Sequence, residues 1–169
     1  MNIERSLKTQ GWMSEAELTY LAEAAEKSIN IAEIGCYKGR SACAIAANTE
    51  ATVYCVDIWS ECGTDGWYYD VFMKNTEGLT NIIPVNRASI YAAREFAAKG
   101  EMFDMIFIDA AHDAFNVRLD IEAWKTLLSP GGILCGHDYG FEGWPDVKLI
   151  VDELVPGVRV IDTIWTTEL

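Results

Sequence analysis

The sequence predicts an α/β domain, a doubly wound and mostly parallel sheet of about seven strands with helices on both faces. Three observations carry this. Short, almost wholly apolar runs alternate with longer segments of helical periodicity, the pattern of buried parallel strands joined by crossover helices. The chain leaves the first such run through two glycines, in Glu33-Ile-Gly-Cys-Tyr-Lys-Gly-Arg-Ser41. Four of the runs end on acidic or histidine residues, Glu33, Asp57, Asp109 and the pair His137-Asp138, at the edge where open α/β sheets bind ligands.

The elements follow in order. Residues 1–13 read as an N-terminal extension and residues 14–28 as a leading helix, within a single domain over residues 1–169. Ser14-Glu-Ala-Glu17 is a capping box, followed by Leu18, Leu21, Ala22 and Ala25 on one helical face. Residues 29–34 form the first strand, 41–48 a helix and 52–58 the second strand. Residues 59–69, rich in Gly, Trp and Tyr, read as a long loop near a site, running into a short helix over 70–77. A third strand covers 81–85. Ser89 is placed to cap a helix ending at Lys99, and 102–109 is the fourth strand. Asp113 caps a helix bearing Val117, Ile121, Trp124 and Leu128, which Ser129-Pro-Gly-Gly132 ends. A fifth strand covers 133–136. Pro145 suits the first turn of a helix reaching Leu154, and 158–161 and 164–167 read as two final short strands.

A chain of 169 residues can bury one substantial core. Its 26 acidic and 13 basic residues give a formal charge of −13, which repels phosphate backbones and anionic membranes. Neither nucleic acid nor a membrane is therefore an expected partner. No apolar stretch approaches the roughly 20 residues of a membrane span, and residues 1–10 lack a signal-peptide core. The five cysteines are odd in number and form no C-x-x-C pair. Cys43, Cys55 and Cys135 lie in apolar segments as small core residues, so reduced thiols and a cytoplasmic setting are expected. No Cys/His cluster has zinc-ligand spacing.

The residue types then limit the chemistry. Gly35 and Gly39 let a ligand approach the backbone, and the helix start beyond them offers unpaired N–H groups. The spacing is G-x-x-x-G, and Arg40 stands where the third glycine of a dinucleotide fingerprint would be, which weakens a pyrophosphate site. Glu33 suits a ligand amino or hydroxyl group, and Asp57 a ribose. Asp109, His137 and Asp138 would place two carboxylates and an imidazole around one point, a set for Mg²⁺ or, with the imidazole, Mn²⁺, Fe²⁺ or Zn²⁺. The competing reading leaves Asp109 beside a cofactor and His137 a polar group without metal. His112, three residues past Asp109, would take a proton from a substrate hydroxyl near neutral pH. Alternatively it opens the following helix with Asp113. G-x-S-x-G and the P-loop pattern are both absent.

Together, Glu33-x-Gly-x-x-x-Gly-x-Ser41, Asp57, Phe103-Asp-Met-Ile-Phe-Ile-Asp-Ala-Ala-His112 and Leu128-Ser-Pro-Gly-Gly-Ile-Leu-Cys-Gly-His-Asp-Tyr139 resemble class I S-adenosylmethionine-dependent methyltransferases, with their Rossmann-like sheet. The subgroup is similar to the small macrocin-type sugar O-methyltransferases, and more distantly to catechol O-methyltransferases. The resemblance runs from about Ser14 to Trp165. It implies methyl transfer from S-adenosyl-L-methionine to a hydroxyl of a small-molecule acceptor, with Mg²⁺ or another divalent cation in some relatives. It assigns the turn of Gly35, Cys36, Tyr37, Lys38 and Gly39 to the methionine part of the cofactor, supported by Glu33 and Ser41. Asp57 would hold the ribose, Ile58, Trp59, Ala88 and Ser89 would lie near the adenine, and Asp109 and Ala110 would line the methionine end. Asp109, His137 and Asp138 fall at the metal-ligand positions of metal-dependent relatives, which carry Asp or Glu where this chain has His137. His112 falls where some sugar O-methyltransferases place the base. The aromatic loop 59–69 and residues 139–144 would close over the site. A dinucleotide-binding oxidoreductase and a non-catalytic nucleoside-binding module of the same fold are the alternatives, and a homo-oligomer is compatible with the sequence.

Overall fold

Residues 1–60 and 67–168 are described by a computed structural model. The apolar runs become strands β1 (Asn30–Ile34), β2 (Thr52–Asp57), β3 (Ile82–Asn86), β4 (Phe103–Ile108) and β5 (Leu128–Gly136), all parallel. The short β6 (Arg159–Ile161) and β7 (Ile164–Thr166) form a hairpin whose second strand runs antiparallel to β5. The order is β3-β2-β1-β4-β5-β7-β6, so the chain reverses direction across the sheet between β1 and β4. A crevice opens at such a switch point, at the strands' carboxyl ends.

Seven helices accompany the strands among the described residues: α1 (Glu4–Lys8), α2 (Glu15–Glu26), α3 (Arg40–Ala46), α4 (Trp67–Asn75), α5 (Ser89–Lys99), α6 (Ala114–Lys125) and α7 (Pro145–Leu154). None is long and apolar enough to cross a membrane. The period-two alternation of the strands divides the core. Ile31, Val53, Cys55, Met105 and Phe107 face Leu18, Leu21, Ile45 and Phe72. Ala32, Ile34, Val56, Ile106 and Ile108 face Phe96, Ile121, Trp124 and Ile150 on the other side.

Local chemistry behaves as expected at several element ends. Ser14 and Glu17 form the reciprocal capping box of α2, Asp113 caps α6 through the Asn116 N–H, and Pro145 opens α7. Other expectations need correction. Ser89 does not cap α5; Ala88 holds that position, and the Ser89 hydroxyl instead donates to Asp120 on α6. Leu128 and Ser129-Pro-Gly-Gly132 lie inside β5 rather than ending α6, in a stretch where the pairing with β4 shifts register between Phe103 and Met105. The helix expected over 70–77 begins earlier, at Trp67, while residues 61–66 of the expected aromatic loop lie outside the described set. The N-terminal extension is structured: α1 is helical, and residues 6–13 are tied to α3.

Gly35 is fixed by space as well as by backbone angle. Its φ is +89°, and a Cβ there would lie 2.0 Å from the Asp109 carbonyl oxygen. Gly35→Ala should therefore destabilise the domain by more than about 2 kcal/mol, since a left-handed conformation and a backbone clash act together. Urea unfolding measures it, and a midpoint equal to wild type would refute the packing described.

Candidate active site

A cavity of about 1210 Å³ occupies the crevice. One end is built by the turn after β1 and the end of β2. The other is built by the ends of β4 and β5, the β6–β7 turn and the start of α2. Of the residues singled out from sequence, Gly35, Cys36, Tyr37, Ser41, Asp57, Ile58, Trp59, Ala88, Ser89, Asp109, Ala110, His112, His137 and Asp138 all line it.

Three do not reach it, and each has a physical reason. Glu33 shares the face of Ile31 and points into the core under α3. It is fully buried, accepts a hydrogen bond from the Ser41 hydroxyl and one from Cys55 Sγ at 3.5 Å, and burial pushes its carboxyl up to about 7. Lys38 is also buried. Its Nζ donates to Gln10 Oε1 at 2.8 Å and lies about 5 Å from the ring centroids of Tyr37, Trp67 and Tyr68. Gly39 is the left-handed N-cap of α3.

Asp57 also acts differently from the expectation of a purely ribose-facing acid. Its Oδ2 accepts the N–H groups of Cys36 and Tyr37 at 2.9 and 2.8 Å, and its Oδ1 accepts that of Trp59 at 2.7 Å. The N–H groups expected to face a ligand are thus given to this carboxylate. Its one remaining lone-pair direction is what it can offer to the cavity.

The opposite end is a charge network. His137 is almost buried. Its Nδ1 lies 3.6 Å from Asp109 Oδ1 and 3.3 Å from Asp138 Oδ1, and its Nε2 lies 3.4 Å from Glu17 Oε1. Burial opposes a charge on this imidazole, but Asp109, Asp138 and Glu17 outweigh it and push its pKa up to about 12. Burial likewise opposes ionisation of Glu17, yet His137, Thr163 and the Ser14 amide draw it down to about 2. His112 Nε2 meets Asp138 Oδ2 at 2.8 Å, an ion pair that raises the His112 pKa. Its ring stacks on Trp144, with centroids 4.6 Å apart. Nδ1 of His112 has no hydrogen-bond partner among the described residues and is the atom open to a proton. The pairing of Asp138 with both histidines depresses its own carboxyl well below the usual range, against the effect of burial.

Sequence reasoning missed one wall. Gln10, Trp12, Met13 and Glu17 line the cavity, held there by Arg40, whose guanidinium donates to the carbonyls of Ser6, Leu7, Thr9 and Met13. Arg40, in the third-glycine position, was the available signal. The expected closure by residues 139–144 is met in part: Phe141 and Trp144 line the cavity, while Tyr139 turns away to Asp152.

The seven-stranded topology and a crevice flanked by the glycine turn and Asp57 define a class I methyltransferase fold. The methyltransferase-domain family matches residues 32–139, and the chain belongs to that family, whose methyl donor in this fold class is S-adenosylmethionine. This disfavours the dinucleotide oxidoreductase. Among solved structures, an O-methyltransferase from Bacillus cereus in complex with SAH superposes with a TM-score of 0.75 at 19% identity, over 97% of this chain and 89% of that one. The TDP-rhamnose 3'-O-methyltransferase of calicheamicin biosynthesis superposes at 0.68 and 14% identity, over 88% and 75%. A precorrin 8w decarboxylase from Methanobacterium thermoautotrophicum superposes at 0.69 and 14%, over 96% and 95%, so the fold alone does not name a reaction. A search of curated protein sequences found no match.

The Glu17–His137 pair carries a pH signature. A depressed acid contributes stability above its ordinary value of 4.5, lost as pH falls toward about 2. A raised histidine contributes fully below 6.5 and loses that contribution as pH rises through its elevated value. The pair is therefore worth most between pH 4.5 and 6.5. Glu17→Gln should flatten the loss of stability from pH 4.5 down to about 2 in urea titrations. An unchanged acid limb would show the pairing to be inert.

Proposed function

We propose that the chain transfers the methyl group of S-adenosylmethionine to a hydroxyl of a small molecule, a sugar or another polyhydroxy or aromatic acceptor. The supporting observation is one continuous cavity with the glycine turn and Asp57 at one end and the His112–Asp138 pair at the other. When bound, the sulfonium supplies an already activated methyl group. The protein's remaining tasks are to align the oxygen behind it and to remove its proton. As the oxygen–carbon bond forms and the carbon–sulfur bond breaks, the hydroxyl proton passes to His112 Nδ1, leaving S-adenosylhomocysteine and the methyl ether. Asp138 holds the Nε2–H tautomer that keeps Nδ1 free, and Trp144 fixes the ring plane. Four buried free thiols, Cys36, Cys43, Cys55 and Cys135, fit a reducing cytoplasm.

A second reading has its own observation. Donor atoms of Asp109, His137 and Asp138 lie within 4.8 Å of one another, so the three residues fit a divalent cation, which would lower the pKa of the acceptor hydroxyl. The metal-independent reading is preferred because the His137 ring already sits between the two carboxylates, 3.6 and 3.3 Å from Asp109 and Asp138.

Thermal-shift titration should show stabilisation by S-adenosylhomocysteine and none by NAD; a shift with NAD alone would return the site to the oxidoreductase reading. His112→Ala should lower kcat by about 10²- to 10⁴-fold with S-adenosylhomocysteine affinity retained. A base must be neutral, so the acid limb of kcat/KM should lie above 6.5, and Asp138→Asn should move it to lower pH. Activity should survive EDTA; its loss would favour the metal reading.

A further inference from the structure

The charges lining the acceptor end limit what can bind there, an inference that rests on the methyl-transfer reading above. Four carboxylates, Glu17, Asp109, Asp138 and Asp162, line that end beside the two histidines. Four carboxylates outnumber the two histidines, so negative charge remains in excess there whichever imidazole carries a proton. The cavity's two arginines do not change this. Arg40 is committed to four backbone carbonyls, and Arg87, at the far end after β3, is paired with Glu95 and Asn86. No lysine lines the cavity among the described residues, and residues 61–66 add Glu61 and Asp65 and no basic residue to the sequence.

An independent observation indicates a ligand group at this place. His137 is 8% exposed, and its Nε2, although 3.4 Å from Glu17 Oε1, makes no hydrogen bond of good geometry to the described residues. The nearby Glu17 Oε1 already accepts from the Thr163 N–H and hydroxyl at 2.9 and 2.6 Å. A buried donor of this kind needs an acceptor, and an oxygen of a ligand in the cavity can supply it. At this end stand the exposed aromatic side chains Phe141 and Trp144, which can accept the C–H face of a sugar ring and attract a cation.

We propose that the acceptor is a polyhydroxylated molecule carrying an amine, an amino sugar in chemical class, and that sugar phosphates and nucleotide sugars are excluded by charge. A phosphate placed among these carboxylates would meet repulsion with no free cation to offset it. An ammonium would meet carboxylates and aromatic faces. The acceptor hydroxyl would lie between His112 Nδ1 and the cofactor, with a second ligand oxygen accepting from His137 Nε2.

The test uses the full chain saturated with S-adenosylhomocysteine, titrated calorimetrically with methyl glucosaminide, methyl glucoside, glucose 6-phosphate and UDP-glucose. The amino sugar should bind at least tenfold more tightly than the neutral glycoside, with no measurable binding of the two anions. Equal or tighter binding of either anion, or no binding of the amino sugar, overturns the proposal. Asp162→Asn keeps a residue tolerant of the left-handed backbone there (φ 50°). It should narrow the amino-sugar preference severalfold while leaving S-adenosylhomocysteine affinity unchanged; an undiminished preference also counts against the proposal. Failure to bind S-adenosylhomocysteine at all would instead defeat the methyl-transfer reading, so the two failures are distinguishable.

Discussion

Three backbone N–H groups converge on one carboxylate, and the geometry of the crevice follows from it. Asp57, the last residue of β2, receives the amides of Cys36 and Tyr37 from one side and of Trp59 from the other. Hydrogen bonds to an ionised acceptor are about twice as strong as neutral ones, and here they join two crossover connections. The Gly35 N–H adds a bond to the Val56 carbonyl. The turn is drawn so close to the neighbouring end of β4 that only glycine fits at position 35. Moving Asp57 would therefore displace the turn, the rim residue Trp59 and the register of the cavity floor together.

Arg40 extends the same construction to the N-terminus. Its guanidinium gathers four carbonyls from residues 6–13, which brings Trp12 and the start of α2 to the rim. Glu17 then does two jobs. It closes the capping box of α2 through the Ser14 N–H, and it reaches the β6–β7 turn and His137 across the cavity. A helix-capping residue readable from a local motif is thereby also a wall of the acceptor end. The capping box and the ion pair use different oxygens of one carboxylate.

What the sequence made legible was the part governed by short-range periodicity. Apolar runs, the strand ends at Asp57, Asp109 and His137-Asp138, the capping box and Asp113 are local signals, and these lie where expected. The failures had partners far away in sequence. Ser89 looks like a cap, but its hydroxyl bonds Asp120, 31 residues on. Ser129-Pro-Gly-Gly132 looks like a stop, but it occupies the irregular start of a strand, where Pro130 is tolerated because the ladder is already broken. Glu33 is the instructive case. Strand parity places it with Ile31, on the face that meets α2 and α3, so its burial was readable from the alternation. The attraction of an acid at a strand end concealed it. The first thirteen residues gave almost no signal because Arg40, their anchor, is 27 to 34 positions downstream of the carbonyls it binds.

Backbone strain locates the site independently of any motif. The non-glycine residues with positive φ among those described are Tyr37, Trp59, Asp138 and Asp162, and every one of them lines the cavity. Each such residue costs about 1–3 kcal/mol and persists only where its surroundings over-determine it. The clamps are visible. Tyr37 gives its N–H to Asp57 and its carbonyl to the Trp59 indole N–H, so the first two strained residues also hold each other. Asp138 is fixed between His112 and His137, and Asp162 accepts from the Ser14 hydroxyl at 2.6 Å. Every strained residue is thus restrained by a bond to a different segment of the chain. The strain is held by the protein's own tertiary contacts, so the shape of the crevice is set before a ligand enters. That is the condition under which a methyl group and a hydroxyl can be aligned without reorganisation during the reaction.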